Sequence, residues 1–242
     1  MDAVDALISR ASALKLTEPA PPDDVVERLL TAGARAPDHG KLRPWRFILV
    51  RGDARARLGD VMAQALVARE PDAPAPLVEK ERAKPLRAPL IVTVAATVQP
   101  DHPKIPPVEQ IASAVCAAQN IMIAAHALGW GCMWKTGAPA YDDGVKAALG
   151  LQSHDEIVGF LYLGTTAMAP PANQRRPDPA DYVAEWSGPE TAADLGVRRR
   201  RRRRAAPRSP PCPGPTCRAA PRPCRRRPRA AGRSPRPASP RA

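Results

Sequence analysis

The sequence lacks the short motifs that mark the common nucleotide, metal and hydrolase sites. It contains no G-x-G-x-x-G or Walker loop, which argues against a Rossmann or P-loop nucleotide site. It also contains no G-x-S-x-G, H-E-x-x-H or C-x-x-C, and its 4 histidines are scattered along the chain. The absence of these motifs therefore argues against a hydrolase and against a metalloenzyme, and we expect no metal in the functional site.

Long apolar runs are also missing, and cysteine is scarce in the first 197 residues. No uninterrupted apolar stretch approaches the length of a membrane span, so we expect no membrane association. The N-terminus carries aspartates and no continuous apolar segment, so we expect no signal peptide and a cytoplasmic protein. Cys116 and Cys132 are the two cysteines of this part, and we expect both to be reduced thiols.

Residues 198–242 contain no Asp, Glu or Lys but hold 17 of the 37 Lys and Arg of the chain, all as Arg. Residues 1–197 therefore carry 20 Lys and Arg against 24 Asp and Glu, a net charge of −4, although the whole chain has +13. The strongly basic average belongs to the tail alone, so the two parts are considered separately.

The Arg- and Pro-rich tail has too few aliphatic side chains to bury a core, so we expect residues 188–242 to be disordered. It could be a polycationic arm that binds nucleic acid or anionic membrane without specificity. Cys212, Cys217 and Cys224 could ligate a metal, although a fourth ligand is missing. We favour a frameshift or read-through after about Trp186, because the tail uses mainly residues with GC-rich codons.

Residues 1–187 show the mixed helix and strand patterns of one α+β domain, with a central helix inside a sandwich. We expect at most about four strands and about five helices. Asp23 or Asp24 is the expected cap of the second helix, and residues 80–84 the basic end of another after a loose Pro/Ala segment. Helices are predicted over residues 2–12, 23–33, 53–70, 108–128 and 141–151, and strands over residues 45–52, 90–98 and 156–165. Residues 131–137 are predicted to be a short strand or a loop.

Basic and hydroxyl side chains gather near three predicted turns. Arginine binds phosphate through a forked pair of hydrogen bonds, and a hydroxyl adds a neutral donor. Such groups suit a flavin mononucleotide, which carries a phosphate and needs a cation near N1 and O2. The alternative is a solvated surface, with Trp45, Trp134 and His126 as ordinary core residues. The turns are SRASALK with Arg10, Ser12 and Lys15, RAPDHGKLRPWRF with Arg35, His39 and Arg43, and WKTGA with Lys135 and Thr136.

Residues 1–186 resemble the nitroreductase family of FMN flavoproteins, and within it the short NAD(P)H nitroreductases. The tail has no counterpart in that family. The matching stretches cover most of residues 1–186 and occur in the same order as in the family. They are MDAVDALISRAS, EPAPP, AGARAPDHGKLRPWRF, RAPLIVTVAA, ASAVCAAQNIMIAA, GWGCMWKTGA and IVGFLYLGT.

The resemblance implies an α/β sandwich with a central, mostly antiparallel sheet flanked by helices, in an intertwined homodimer. The helix from Ile111 to Leu128 would pack against its mate, with FMN bound between the subunits. The implied activity is ping-pong hydride transfer from NADH or NADPH through flavin N5 to a nitroaromatic or quinone-like acceptor, with no catalytic side chain. A flavoenzyme of the same fold with another reaction, such as dehalogenation or oxidation of a precursor, stays open. A nucleic-acid-binding protein acting through the tail is the alternative from another class.

The resemblance also implies which residues bind the two cofactors. Lys135 is the implied phosphate partner, and Lys15 and Arg35 are candidates for stabilising reduced flavin. Ala11 and Lys135 depart from the family, whose members often have arginine at both places. The implied FMN contacts are Arg10, Ala11, Ser12, Arg35, His39, Trp134, Lys135 and Thr136, and the implied NAD(P) contacts are Ala124, Ala125, His126, Ala127, Leu128 and Gly129.

Overall fold

The computed structural model describes residues 1–169, 171, 176–186 and 188. Its contacts divide the chain into one unit of residues 1–175 and another of residues 176–242. The described part of the second unit contains a short 3₁₀ turn, Pro179–Asp181. The hypotheses about the tail, including its cysteines and the frameshift, fall outside the described residues.

An antiparallel sheet forms the centre of the first unit. Its longest strand, β5, pairs with β3 and β4 along its first part and with β1 near its end, and β2 pairs with β3. The predicted antiparallel α+β sandwich is confirmed, but the sheet has five strands and not four over the described part of the chain. The sequence analysis missed β1 because three residues are too few for an alternating pattern. The strands are β1 Lys15–Thr17, β2 Trp45–Arg51, β3 Leu90–Ala96, β4 Gly131–Lys135 and β5 Glu156–Met168.

Six α-helices flank this sheet within the described residues. Pro22, and neither aspartate, is the N-cap of α2, so the predicted carboxylate cap is wrong. Asp23 and Asp24 instead lie in the first turn, where negative charge favours the helix dipole. Helix α4 begins inside the segment predicted to be loose, with proline in its first turn, where no amide hydrogen is needed. The helices are α1 Ala3–Ser9, α2 Asp23–Gly33, α3 Ala54–Arg69, α4 Ala75–Arg82, α5 Pro107–Ala127 and α6 Asp143–Ala148.

Strand β3 is buried on both faces, which explains why its sequence is continuously apolar and does not alternate. Leu90, Val92 and Val94 pack with α2 and α5 on one side of the sheet. Ile91 and Ala95 pack with α3 on the other side. The core therefore has two layers, and the sheet separates the α5 side from the α3 side.

Helix α5 is long and apolar enough, by length and composition, to cross a membrane. The sequence analysis found no apolar run of that length because Gln110, Gln119 and Asn120 interrupt it, whereas mean hydropathy over 18 residues tolerates them. In the structure, α5 is instead a core helix that packs against the sheet and α2. Its residues Ala114, Ala118, Ile121 and Ala125 are fully buried.

Candidate functional site

A cleft of about 430 Å³ opens where β1, β4 and the 3₁₀ turn Lys84–Arg87 meet. Its cations are Lys15, Arg87 and Lys135, and Tyr162 of β5 forms part of its wall. A second hollow of about 290 Å³ shares Arg87, Lys135 and Tyr162 with the cleft and adds Lys84, Thr136 and Gly137. The first volume lies within the usual range of about 300–1,000 Å³ for small-molecule sites. We call the two together the basic cleft.

Strand alternation explains which residues of β4 reach the basic cleft. Met133 and Lys135 lie on the face that carries Tyr162 and the α3 side of the core. Cys132 and Trp134 lie on the opposite face, with α5. Gly137, directly after the strand, has φ of 93°, so the chain turns sharply there without a side chain in the way. The sequence WKTG therefore presents Lys135 and Thr136 at the mouth of the cleft.

The basic cleft carries an excess of positive charge. Among the described residues, no carboxylate lies within ion-pair distance of Lys15, Arg87 or Lys135. The buried carboxylate of Glu81 forms an ion pair with Lys84. The cleft is thus suited to an anionic ligand.

Tyr162 contributes a neutral hydroxyl to this positive surface. Burial raises the pKa of Tyr162 to about 12, and nearby Arg87 opposes that rise by a smaller amount. The phenol consequently keeps its proton at neutral pH and can act as a hydrogen-bond donor. Lys84, Arg87 and Tyr162 were missed by the sequence analysis, because one arginine before a strand and one tyrosine inside a strand carry no motif.

The segment Arg10–Ser12 lies beside β4, close to the end of α5. Ser9 Oγ and His126 Nε2 are hydrogen-bonded at 2.8 Å, and the Ala13 amide donates to the Cys132 carbonyl at 3.1 Å. Burial raises the pKa of the Cys132 thiol to about 12, and the charge of Arg10 partly opposes this. Arg10 is thus near β4, on the same strand that carries Lys135.

The loop of residues 35–43 reaches the start of α5 at His39. His39 Nε2 is 3.7 Å from Glu109 Oε2, within the first turn of that helix. The Arg43 amide donates to Asp38 Oδ2 at 2.8 Å, and both Lys41 and Arg43 have positive φ, at 57° and 47°. Non-glycine residues seldom adopt this conformation, and such strain is concentrated at functional sites.

Predicted FMN contacts therefore lie near both ends of one helix. From Glu109 to His126, α5 rises by about 25 Å at 1.5 Å per residue. His39 is associated with the first end, and Arg10 and Ser12 with the second. Arg35 follows the end of α2, where the Asn120 side chain of α5 donates to the Ala32 carbonyl. One chain alone does not bring all of these residues to a single ligand.

The remaining predicted residues lie on the α5 side of the sheet. Ala125 is fully buried in the core, so its side chain is closed to a ligand, whereas Gly129 ends the helical segment with φ of 82°. The Trp134 indole donates to the Val158 carbonyl at 3.2 Å and does not face the basic cleft. Trp45 is a core residue, 8% exposed, as the alternative interpretation predicted.

Known proteins are similar to this chain in sequence and in fold. The Nitroreductase family profile matches residues 8–165. The protein named "Putative NAD(P)H nitroreductase YdjA" from Escherichia coli K12 is 42% identical over 183 residues, which cover 76% of this chain and 98% of that protein. A nitroreductase-like family protein from Bacillus cereus has a TM-score of 0.66 at 24% identity and covers 78% of this chain and 97% of its own. A nitroreductase from Desulfovibrio desulfuricans, solved in complex with FMN, has a TM-score of 0.57 at 24% identity, covering 78% and 99%.

Proposed function

The chain belongs to the nitroreductase family, and from this premise we propose that it is a cytoplasmic, FMN-dependent NAD(P)H oxidoreductase. The observation that carries the proposal is the meeting of Lys15, Lys135 and Thr136 in one basic cleft. Lys135 and Thr136 were expected to contact FMN, and Lys15 was expected to stabilise the reduced form of FMN. The electron donor, NAD(P)H, is proposed from the name of the Escherichia coli relative, and the flavin from the structural neighbour that was solved with FMN.

The donor set of the basic cleft fits FMN. The cofactor combines a dianionic phosphate with a flat ring that has one polar edge. Lys135 and Thr136 offer a charge and a hydroxyl for the phosphate, and the bare backbone at Gly137 allows close approach. Leu16 and Met133 provide apolar wall for a ring.

When bound, FMN would accept a hydride at N5 from NAD(P)H and pass the electrons to a nitroaromatic or quinone-like acceptor in ping-pong order. Lys15 would place positive charge where the reduced cofactor becomes negative, which favours reduction. The protonated hydroxyl of Tyr162 adds a donor that stays neutral through the physiological range. These side chains orient and stabilise, and no acid or base is required of them.

A homodimer explains the separation of the two contact groups. If two chains lie with their α5 helices antiparallel, the start of one helix meets the end of the other, and His39 of one chain approaches Arg10 of its partner. The exposed side chains support such an interface: Val108 and Val115 leave an apolar strip on α5. Leu7 and Ile8 do so on α1. Exposed apolar patches of this kind mark association surfaces.

An absorbance spectrum of the purified protein, recorded anaerobically before and after NADPH or NADH, tests the proposal. We expect a yellow protein whose flavin bands bleach with either donor and return when a nitroaromatic or quinone is added. Lys135→Met should weaken FMN binding by about tenfold, because a charged phosphate contact is lost. Lys80→Met, at an exposed lysine of α4, is the matched control. A colourless protein that takes up no added FMN would refute the proposal.

A further inference from the structure

One buried side chain of α5 holds the segment of chain that precedes this helix. The segment, residues 97–106, connects β3 to α5, and we call it the β3–α5 loop. Gln110 is 1% exposed, and its Oε1 accepts a hydrogen bond from the Gln99 amide at 2.8 Å. Its Nε2 donates to the Gln99 carbonyl at 3.0 Å and to the Ile105 carbonyl at 2.9 Å. A buried amide with three such bonds fixes its partners, because breaking any of them leaves a polar group unpaired away from water.

The β3–α5 loop in turn contacts the chain around residues 35–43 at two places. Thr97 donates to the carbonyl of Pro44, directly after those residues, from its amide at 2.7 Å and from its hydroxyl at 2.9 Å. The Ile105 side chain lies against the backbone of Gly40, since a Cβ added to Gly40 would be 2.6 Å from Ile105 Cδ1. Gly40 has φ of 63°, so glycine provides both the backbone conformation and the room for Ile105.

The residues after Gly40 require support of this kind. Lys41 and Arg43 have positive φ, at 57° and 47°, and non-glycine residues persist in that conformation only where the surrounding structure holds them. The contact between His39 Nε2 and Glu109 Oε2, at 3.7 Å, joins two exposed side chains, and such pairs contribute little to stability. The buried contacts of the β3–α5 loop therefore do more to fix the loop of residues 35–43 than the exposed pair does.

We propose that Gln110 is a positioning residue for His39. Gln110 fixes the backbone of Ile105, the Ile105 side chain packs on Gly40, and Gly40 is the next residue after His39. The inference rests on the proposed function, in which His39 contacts FMN across the subunit interface. Without the Gln110 hydrogen bonds, the loop of residues 35–43 relaxes and His39 loses its fixed place beside the flavin.

Gln110→Met tests this role, because methionine has a similar shape and forms none of the three hydrogen bonds. We expect the affinity for FMN, measured by fluorescence quenching with apoprotein, to fall about fivefold, the equivalent of one ordinary hydrogen bond. The visible circular dichroism of bound FMN, recorded at saturation, should change as it does in His39→Ala. Ile105→Ala keeps the Gln110 bonds to the backbone and should act in the same direction, which keeps the test open if Gln110→Met does not fold.

Ser113→Ala is the matched control on the same helix. Ser113 is 4% exposed, and its hydroxyl donates to the Glu109 carbonyl at 3.0 Å, within α5 itself. Removing this buried hydroxyl should leave both the FMN affinity and the flavin dichroism unchanged. A loss of FMN affinity that merely followed lower stability of α5 would appear in this variant too.

A double-mutant cycle shows whether Gln110 acts through His39. In the His39→Ala background, Gln110→Met should have little further effect on FMN affinity, because the contact that it positions is already absent. Full additivity of the two changes, or wild-type affinity and dichroism in Gln110→Met or in His39→Ala, would show the inference to be wrong while the proposed function stands. Wild-type protein that binds no FMN would instead refute the proposed function.

Discussion

The two cysteines of the first unit differ sharply in their surroundings. Cys132 is 6% exposed on β4, and its raised pKa of about 12 leaves almost no thiolate at pH 8. Cys116 on α5 is only partly buried. A buried, protonated thiol is both inaccessible and unreactive.

Native protein treated with iodoacetamide at pH 8 should therefore remain unmodified at Cys132 and become fully modified there after unfolding in urea. Peptide mass mapping of the full-length chain measures each cysteine separately. The urea sample is the control for the detection of the Cys132 peptide. Equal labelling rates in the native and unfolded samples would contradict the burial described here.

Helices α3 and α4 are in close contact at Gly59. A Cβ added there would lie 2.1 Å from the carbonyl oxygen of Arg82, at the end of α4. Backbone atoms cannot yield as a flexible side chain can, so the two helices would have to separate.

Gly59→Ala should lower the free energy of unfolding by about 1–3 kcal/mol, the usual cost of overpacking, even though alanine is the better helix former. Urea unfolding followed by circular dichroism measures the change. Ala56→Ser, at an exposed position of the same helix, should change it by less than about 0.5 kcal/mol. An alanine variant as stable as the wild type would show that the helices are not in this contact.

Elements with a long apolar pattern could be predicted from the sequence, whereas the three-residue strand β1 and the helix α4 of the proline-rich segment could not. Strand β3 and helix α5 have patterns that local physics determines. Strand β1 forms because β5 extends far enough to pair with it, which is a tertiary effect. Helix α4 was obscured by prolines that act as starting residues there.

The candidate site divides in the same way. Lys135 and Thr136 could be predicted because they belong to a recognisable stretch next to a glycine. Arg87 and Tyr162 join them only through the pairing of β4 with β5 and the position of a 3₁₀ turn. Nothing local in the sequence expresses that proximity.

At the scale of the whole molecule, the apolar strip on α5 is the most direct test of the proposed dimer. Val115→Asp should yield a folded monomer that binds FMN poorly, because a buried charge opposes association. Val67→Asp is the matched control, since Val67 on α3 is 43% exposed and Val115 is 40% exposed. Light scattering after size-exclusion chromatography measures the mass. A Val115→Asp dimer as stable as the wild type would place the interface elsewhere.

The tail makes a separate prediction. If residues 198–242 form part of the protein in the cell, their 17 arginines should bind DNA with an affinity that falls steeply as salt rises. A chain that ends at Val197 should lose this binding and keep flavin reduction, because Lys15 and Lys135 lie in the first unit. Gel-shift assays at two salt concentrations and the bleaching assay distinguish the two outcomes. Loss of flavin reduction on truncation would contradict the separation of the two parts.

The placement of His39 near the start of α5 and of Arg10 near its end has a genetic consequence in the proposed dimer. A chain altered at His39 spoils the site to which it lends its loop, and a chain altered at Arg10 spoils the site to which it lends its N-terminal segment. When the two defective chains associate, both lesions fall in one site and the other site is intact. Coexpressed in equal amounts, two inactive alleles should therefore complement each other and restore about a quarter of all sites.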